Sequence, residues 1–189
     1  KIRKYFCYLL FRIVIAHRGG KGMILEDLSK QIGQVLAENK IEIAPSFVAN
    51  KLPKFLRKRT LLTKKQKMLP ASGYGRHNVY ICPQKYFSII VAVWPPCFTS
   101  VIHDHETWCA FGVFEGHIKE HRYPMASRLF DVNCFETCEL SVGQTSYMSA
   151  GTAGIHSIQN ATDKVAISLH VYGGDAEKMG PNVANVYGK

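Results

Sequence analysis

The chain has 189 residues, which suits one domain with its own hydrophobic core and no need for disulfides. Its composition is 47% apolar and 20% charged, which excludes disordered and collagen-like chains. The net charge is +10, and the stretch from Ile43 to His103 contains no Asp or Glu. The simplest interpretation is a solvated basic face, which would also attract small anions. Since no aromatic stacking pattern is interleaved with its cations, we expect no nucleic-acid partner.

The first 22 residues carry six Lys or Arg and no acid. Their apolar run, Tyr5 to Ala16, is 12 residues long and contains Arg12, so it is too short to span a bilayer. We expect an amphipathic helix packed on the domain, with a targeting segment as the alternative, and no stable membrane insertion. The six cysteines show no CxxC spacing, and we see no secretory leader. These features predict reduced thiols in a cytoplasmic setting.

Residues 24–42 have the periodicity of an amphipathic helix, since apolar residues recur at spacings of three and four (Leu25, Leu28, Ile32, Val35, Leu36). A second helix is predicted to begin near Pro45, with a kink at Pro53. The turn cluster 69–73 ends this half. We therefore divide the chain into a helical segment, 1–73, packed on a barrel formed by 74–189, within a single domain.

From Tyr74 onward the sequence is typical of short strands rich in Val, Ile, Phe, Tyr and Thr, punctuated by Gly, Pro, Asn and Asp. The predicted strands are 78–81, 86–93, 99–102, 109–114, 118–123, 135–140, 146–148, 154–158 and 164–172. Many short strands without intervening long helices predict a mainly β sandwich or barrel.

The chemistry is predicted to lie at His103 and His105. On a strand, residues two apart point to the same face, so this His-x-His pair would aim two imidazoles into one space. His156 is the best candidate for a third ligand from elsewhere in the fold. Imidazole binds iron, zinc, copper and nickel alike, so the ligands alone do not name the metal. The alternative is a pair of surface or hydrogen-bonded histidines.

The segments around these histidines resemble the two cupin motifs. In the first, His103 and His105 match the histidines and Gly116 the final glycine, whereas Cys109 stands where the pattern has glutamate and Cys97 where it has glycine. In the second, the matches are Gly143, Gly151, His156 and Asn160, with Ser149 in place of proline and two extra residues before the histidine. The resemblance implies a cupin double-stranded β-helix with N-terminal helices.

The missing motif glutamate has a chemical consequence. Three neutral ligands leave a divalent metal with its full charge, which favours an anionic ligand such as a thiolate.

Over residues 74–175 the chain resembles the thiol dioxygenases, which include cysteine dioxygenase and bacterial enzymes that act on 3-mercaptopropionate. The resemblance implies an Fe(II) cofactor on the three histidines. Ser168, His170 and Tyr172 look like the family's Ser-x-His-x-Tyr array, which makes them catalytic candidates. Trp94 matches a family tryptophan and is a candidate for substrate binding. Tyr74-Gly-Arg76 resembles the pair that grips the substrate carboxylate, a task that suits the planar guanidinium fork.

Cys109 carries two interpretations. In animal cysteine dioxygenase, a cysteine near the second histidine forms a thioether with the active-site tyrosine, which would correspond here to Cys109 and Tyr172. The spacing from His105 to Cys109 is the shorter, bacterial type. The other interpretation is a small buried thiol.

The resemblance implies an iron-dependent dioxygenase that converts L-cysteine or 3-mercaptopropionate and O2 into the sulfinic acid. The sequence does not choose between the two thiols, and it leaves the oligomeric state open. One alternative is another three-histidine cupin dioxygenase, such as one that cleaves a carbon–carbon bond. The other is a non-enzymatic metal-binding cupin.

Overall fold

The computed structural model of the chain describes residues 20–38, 40–125, 133–179 and 182–188, with side chains from residue 25 onward. The helix expected in the first 22 residues lies almost wholly outside these ranges. The α-helices in the described residues are α1 (Gly20–Ala37), α2 (Ala44–Lys51) and α3 (Pro53–Leu56). None of these described helices has the length and apolar character needed to span a membrane.

The two predicted helices are confirmed in place, with different ends. The first ends at Ala37 rather than at residue 42. The predicted kink at Pro53 is a break, because α2 ends at Lys51 and Pro53 begins α3. Proline fits this first-turn position since it has no backbone N–H to donate.

The rest of the described chain is built from strands, and each predicted strand segment contains part of one. The strands are β1 (Gly75–Ile81), β2 (Phe87–Trp94), β3 (Ile102–His103), β4 (Cys109–Glu115), β5 (His117–Arg122), β6 (Glu136–Ser141), β7 (Thr145–Met148), β8 (His156–Gln159), β9 (Ala166–Gly173) and β10 (Val186–Tyr187). The last of these was not predicted from the sequence.

The strands form two five-stranded antiparallel sheets, which confirms the mainly β architecture. The first sheet has the order β1-β2-β9-β4-β7 and the second the order β10-β3-β8-β5-β6. Chain neighbours β4 and β5 belong to different sheets, although only Gly116 separates them. This glycine has a φ of +83°, and a Cβ atom there would lie 2.9 Å from the Cβ atom of Ala166. Only glycine accommodates both demands without strain.

The central strands β2 and β9 are buried on both faces. On β9, Ile167, Leu169 and Val171 pack into the cluster that contains the helices, and the helices thereby cover the outer face of the first sheet. Alternate residues of a strand point to opposite faces, so Ser168, His170 and Tyr172 point into the barrel. The outer cluster therefore fixes the orientation of the three side chains that resemble a catalytic array.

The expectation that His103 and His105 share one strand is wrong. Strand β3 ends at His103, and His105 lies in the loop beyond it. The reason is Asp104, whose fully buried carboxylate accepts hydrogen bonds from the Asn185 backbone N–H at 2.8 Å and the Tyr187 hydroxyl at 2.7 Å. These bonds tie the chain between the two histidines to the C-terminal segment 182–187.

The C-terminal segment also explains strand β10. Val186 pairs with His103 and Tyr187 with Ile102, so β10 extends the second sheet beside the first histidine. Such a two-residue strand carries too short a pattern to recognise in sequence. Its position depends on long-range contacts with Asp104.

Replacing Tyr187 with Phe should lower the free energy of unfolding by about 1–3 kcal/mol, because a buried carboxylate loses a hydrogen-bond donor. Burial and the bond to Asp104 raise the pKa of Tyr187 to about 12, so the phenol remains a donor at neutral pH. Urea denaturation of the metal-free protein measures the change. Tyr147→Phe is the matched control because Tyr147 is 51% exposed. Equal stability of both variants would contradict this role.

Candidate metal centre

Three histidines converge inside the barrel from two strands and a loop. His103 on β3 stands directly opposite His156 on β8 in the sheet register, and His105 follows from the loop. The ring centroids lie 4.7–5.1 Å apart, and each ring offers a nitrogen within 4.8 Å of the others. The three side chains expose 8%, 2% and 2% of their surface, so the group is buried. The three residues chosen from the sequence are therefore brought together.

Each of these imidazoles is oriented by an oxygen atom behind it. Nδ1 of His103 lies 2.8 Å from the Val101 carbonyl oxygen, and Nδ1 of His105 lies 2.5 Å from that of Asn182. Nδ1 of His156 lies 3.0 Å from Oε1 of Glu120. Because these oxygens accept, each Nδ1 carries the hydrogen of the neutral ring, and each Nε2 retains a lone pair.

This arrangement of hydrogens fits a metal ion. Nε2 of His105 and Nε2 of His156 lie 3.0 Å apart, yet neither carries a hydrogen to share. Two facing lone pairs at this distance repel each other unless a cation lies between them. Buried imidazoles oriented by oxygen acceptors are the usual design of metal-ligating histidines. The three histidines thus form a group that can bind a metal, and imidazole ligands suit iron among others.

The protonation of the group favours metal binding at neutral pH. Burial, reinforced by His156, lowers the pKa of His103 to about 4. Burial and the neighbouring His156 and His103 lower the pKa of His105 to about 2. Both rings are therefore neutral at pH 7 and available as ligands.

Glu120 is a residue of this site that the sequence reasoning missed. It lies on β5, is fully buried, and accepts hydrogen bonds from His156, Ser146 and Arg122. Burial acts to raise its pKa, but the His156 hydrogen bond and the other donors together lower it below the ordinary value. The signal that could have identified it is the period of two: Ile118 and Glu120 share the buried face of β5. An ionisable residue on a buried face needs hydrogen-bond partners.

A second hydrogen-bonded chain runs through the first sheet toward the metal group. The indole N–H of Trp94 donates to Ser168 Oγ at 2.7 Å, and Ser168 Oγ lies 2.7 Å from His170 Nε2. His170 Nδ1 lies 3.2 Å from the hydroxyl of Tyr172. Among the described residues Ser168 has no other acceptor, so its hydroxyl donates to Nε2 and His170 donates from Nδ1 to the Tyr172 oxygen. The phenolic hydrogen then faces the interior of the site, where the Cys109 sulfur accepts it.

Tyr172 is the end of this chain nearest the histidines. Its ring lies edge-on to His105 with centroids 5.3 Å apart. Burial, with nearby Cys109, raises the pKa of Tyr172 well above its usual value, so the phenol keeps its hydrogen. The Arg76 guanidinium lies over the same ring, 5.9 Å from its centroid. Trp94, a substrate-binding candidate from the sequence, bonds Ser168 Oγ through its indole nitrogen at the far end of this chain.

Cys109 lies beside these groups. It stands directly opposite Tyr172 in the register of β4 and β9, and its side chain is fully buried. Its sulfur lies 3.9 Å from His170 Nδ1, and burial raises the pKa of its thiol. Arg76, Cys109 and His170 therefore all lie against Tyr172, and Tyr172 in turn contacts His105 of the metal group.

The fold and the site define a class: a cupin-type β-barrel with a buried three-histidine group that can bind a metal. The model of the family "Cysteine dioxygenase type I" matches residues 20–178. The chain belongs to this family. The match begins in α1, well before the barrel, so the helices that cover the first sheet are part of the family pattern.

Solved structures that are similar to this chain include TT1209 from Thermus thermophilus, with 17% identity, a TM-score of 0.47, and coverage of 59% of this chain and 92% of that one. A conserved double-stranded β-helix protein from Klebsiella pneumoniae has 15% identity, a TM-score of 0.46, and coverage of 63% and 92%. KdgF from Halomonas sp. has 13% identity, a TM-score of 0.46, and coverage of 59% and 88%. These similarities say nothing about the reaction of this chain.

Replacing His156 with Ala should lower the affinity for Fe(II) and Zn(II) by more than tenfold, because one of the three ligands is lost together with its hydrogen bond to Glu120. Metal competition against a chromogenic chelator measures this affinity. His117→Ala serves as the control, since His117 lies on the same sheet and pairs with the exposed Glu139. Full metal binding by His156→Ala would show that the ligand assignment is wrong.

His170 should remain neutral well below pH 6.5, because burial, reinforced by the neighbouring His156 and Arg76, lowers its pKa to about 3. In the unfolded chain a histidine gains its proton near pH 6.5, so the protein loses stability as pH falls from 6.5 toward 3. At pH 5 the loss is roughly 2 kcal/mol for this one residue. Denaturation at pH 7 and 5 measures it, and His170→Gln should show a smaller difference between the two. An unchanged difference would contradict the assignment.

Proposed function

We propose that the protein is an iron-dependent thiol dioxygenase that converts a small thiol carrying a carboxylate, L-cysteine or 3-mercaptopropionate, into its sulfinic acid. The observation that carries the proposal is the placement of Arg76 and Tyr172 together beside a buried group of three neutral histidines. Such a group favours an anionic sulfur ligand, and an arginine nearby suits the carboxylate of the same molecule. Membership of the cysteine dioxygenase family supports the same reaction.

Bound at His103, His105 and His156, Fe(II) would supply the redox activity and the coordination positions that let a thiolate and O2 react. In the net reaction both oxygen atoms of O2 are added to the sulfur, and the thiol proton is released to solvent because the sulfinic acid product is ionised at neutral pH. All the electrons of the net reaction come from the thiol, so no flavin, nicotinamide or 2-oxo acid is required. The partners of the protein are thus a small thiol and O2.

The residues of the first sheet would bind and orient this substrate. Arg76 pairs with the carboxylate and fixes the distance between that end and the sulfur. The Tyr172 hydroxyl, held by His170 and Ser168, donates its hydrogen toward the reacting end. Trp94 acts one step further away by fixing the Ser168 hydroxyl. Burial of the array from Trp94 to Tyr172 excludes bulk water from the reacting atoms.

Cys109 remains a prediction as the partner of Tyr172 in a thioether. Its position opposite Tyr172 in the register supports this assignment. All five cysteines of the described residues are free thiols, which is consistent with the reducing, cytoplasmic setting expected from the sequence.

The test is oxygen uptake by the Fe(II)-loaded protein with each thiol, with the product identified by mass. Uptake matched one-to-one by sulfinate is expected, and the better substrate would define the specificity. Arg76→Gln should raise the KM of the preferred thiol by roughly thirtyfold, because one charge-assisted pair is lost. Its control is Arg57→Gln, an exposed arginine outside the site. The absence of sulfinate at verified iron occupancy would refute the proposal and favour another oxygenase or a metal-binding cupin.

A further inference from the structure

The three histidines differ in the charge that lies behind them. His103 and His105 donate to the neutral backbone carbonyls of Val101 and Asn182. His156 donates to a carboxylate, that of Glu120, at 3.0 Å. A carboxylate acceptor draws the Nδ1 hydrogen toward itself and increases the electron density on Nε2. The three ligands are therefore chemically unequal, although all are imidazoles.

Glu120 is built into this position from several directions. Its side chain is fully buried, and Ser146 Oγ donates to Oε2 at 2.5 Å. Arg122 Nε donates to the same oxygen at 3.1 Å, and its other nitrogens bind Glu136 and Ser146. Oε1 is left to His156 alone among the described residues. Because His156, Ser146 and Arg122 all donate hydrogens to its oxygens, Glu120 is held as a carboxylate rather than as a carboxylic acid.

The position of this charge is informative because the site lacks the carboxylate that the cupin motif provides. Cys109 occupies that place, and its raised thiol pKa keeps it uncharged. Within the described part of the chain, no acidic side chain joins the three histidines as a potential ligand. The negative charge of Glu120 on β5 thus lies behind His156 and is not among the ligands.

We propose that Glu120 is a positioning residue that delivers negative charge to the metal through His156. Its carboxylate, outside the ligand group, takes the place of the carboxylate that the cupin motif puts among the ligands. His156 is then the strongest of the three donors. The inference rests on the metal centre of the proposed function and not on the identity of the substrate. It deepens the expectation of a metal with its full charge: three neutral ligands remain, but one is electron-rich.

Two measurable consequences follow, and neither requires turnover. An electron-rich His156 strengthens binding of any divalent metal, including Zn(II), which has no redox chemistry. Negative charge near the metal also stabilises the ferric state relative to the ferrous state, so it lowers the Fe(III)/Fe(II) midpoint potential. A side chain that only filled space or only oriented the ring would change the metal affinity, but it would not shift the Fe(III)/Fe(II) midpoint potential in a set direction.

Glu120→Gln tests the charge, because the amide oxygen still accepts from His156 Nδ1 while the charge is gone. On the full-length protein we expect a roughly ten- to hundredfold loss of affinity for Zn(II) and for Fe(II) under anaerobic conditions. We also expect a higher Fe(III)/Fe(II) midpoint potential, measured by spectroelectrochemistry. Glu139→Gln is the matched control, since Glu139 is an exposed carboxylate on neighbouring β6.

Arg122→Gln provides a test of opposite sign. It removes the cation that offsets Glu120, so the carboxylate acts more strongly on His156 and the potential should fall. A merely structural network would lose metal affinity in both variants and would not move the potential in opposite directions. If Glu120→Gln alone does not fold, the double variant Glu120→Gln/Arg122→Gln removes both charges together and should still raise the potential.

Wild-type affinity and potential in a folded Glu120→Gln protein would overturn the inference. So would potentials that shift in the same direction in Glu120→Gln and Arg122→Gln. A failure of the proposed function can be told apart from a failure of this inference. If no sulfinate forms but Glu120→Gln still loses Zn(II) affinity as expected, the role of Glu120 stands.

Discussion

The site depends on one constraint: three buried imidazoles must each turn Nδ1 toward an oxygen atom so that the three Nε2 lone pairs meet. Burial keeps His103 and His105 neutral by lowering the pKa of each, and it also makes each unpaired N–H costly. The acceptors must therefore come from the surrounding fold. They come from the chain beside β3, from the C-terminal segment and from β5. The second sheet and the C-terminal segment are in this sense organised around the three rings.

The first sheet has a complementary task. Its central strands are buried on both faces, and the outward residues of β9 hold the helices while the inward residues form the chain from Ser168 to Tyr172. The same strand thus supplies stability on one side and a directed set of hydrogen bonds on the other. The family match that extends into the helices agrees with this division, since without their cover the outer face of the sheet would be exposed apolar surface.

The electrostatic balance of the site is distributed over several elements. The motif carboxylate is absent from the ligand group, and Cys109 in its place is uncharged because burial raises the pKa of its thiol. Glu120 brings a charge to the outer side of His156, and Arg122 and Ser146 hold it there. Arg76 brings a positive charge over the ring of Tyr172, which lies beside His105. Under the proposed function, a small anionic thiol would meet the metal and the arginine together, while the carboxylate of Glu120 lies behind His156.

Local patterns in the sequence determined the helices, most of the strands, the mainly β class and the three histidines. These features depend on periodicity and on short motifs, which act through neighbouring residues. Tertiary structure decided the rest: that His105 lies in a loop, that residues 186–187 form a strand, and that Glu120 stands behind His156. Each of these depends on groups far apart in the chain, because a buried carboxylate or imidazole is stable only where the fold brings its partners to it. No local pattern specifies such a partner.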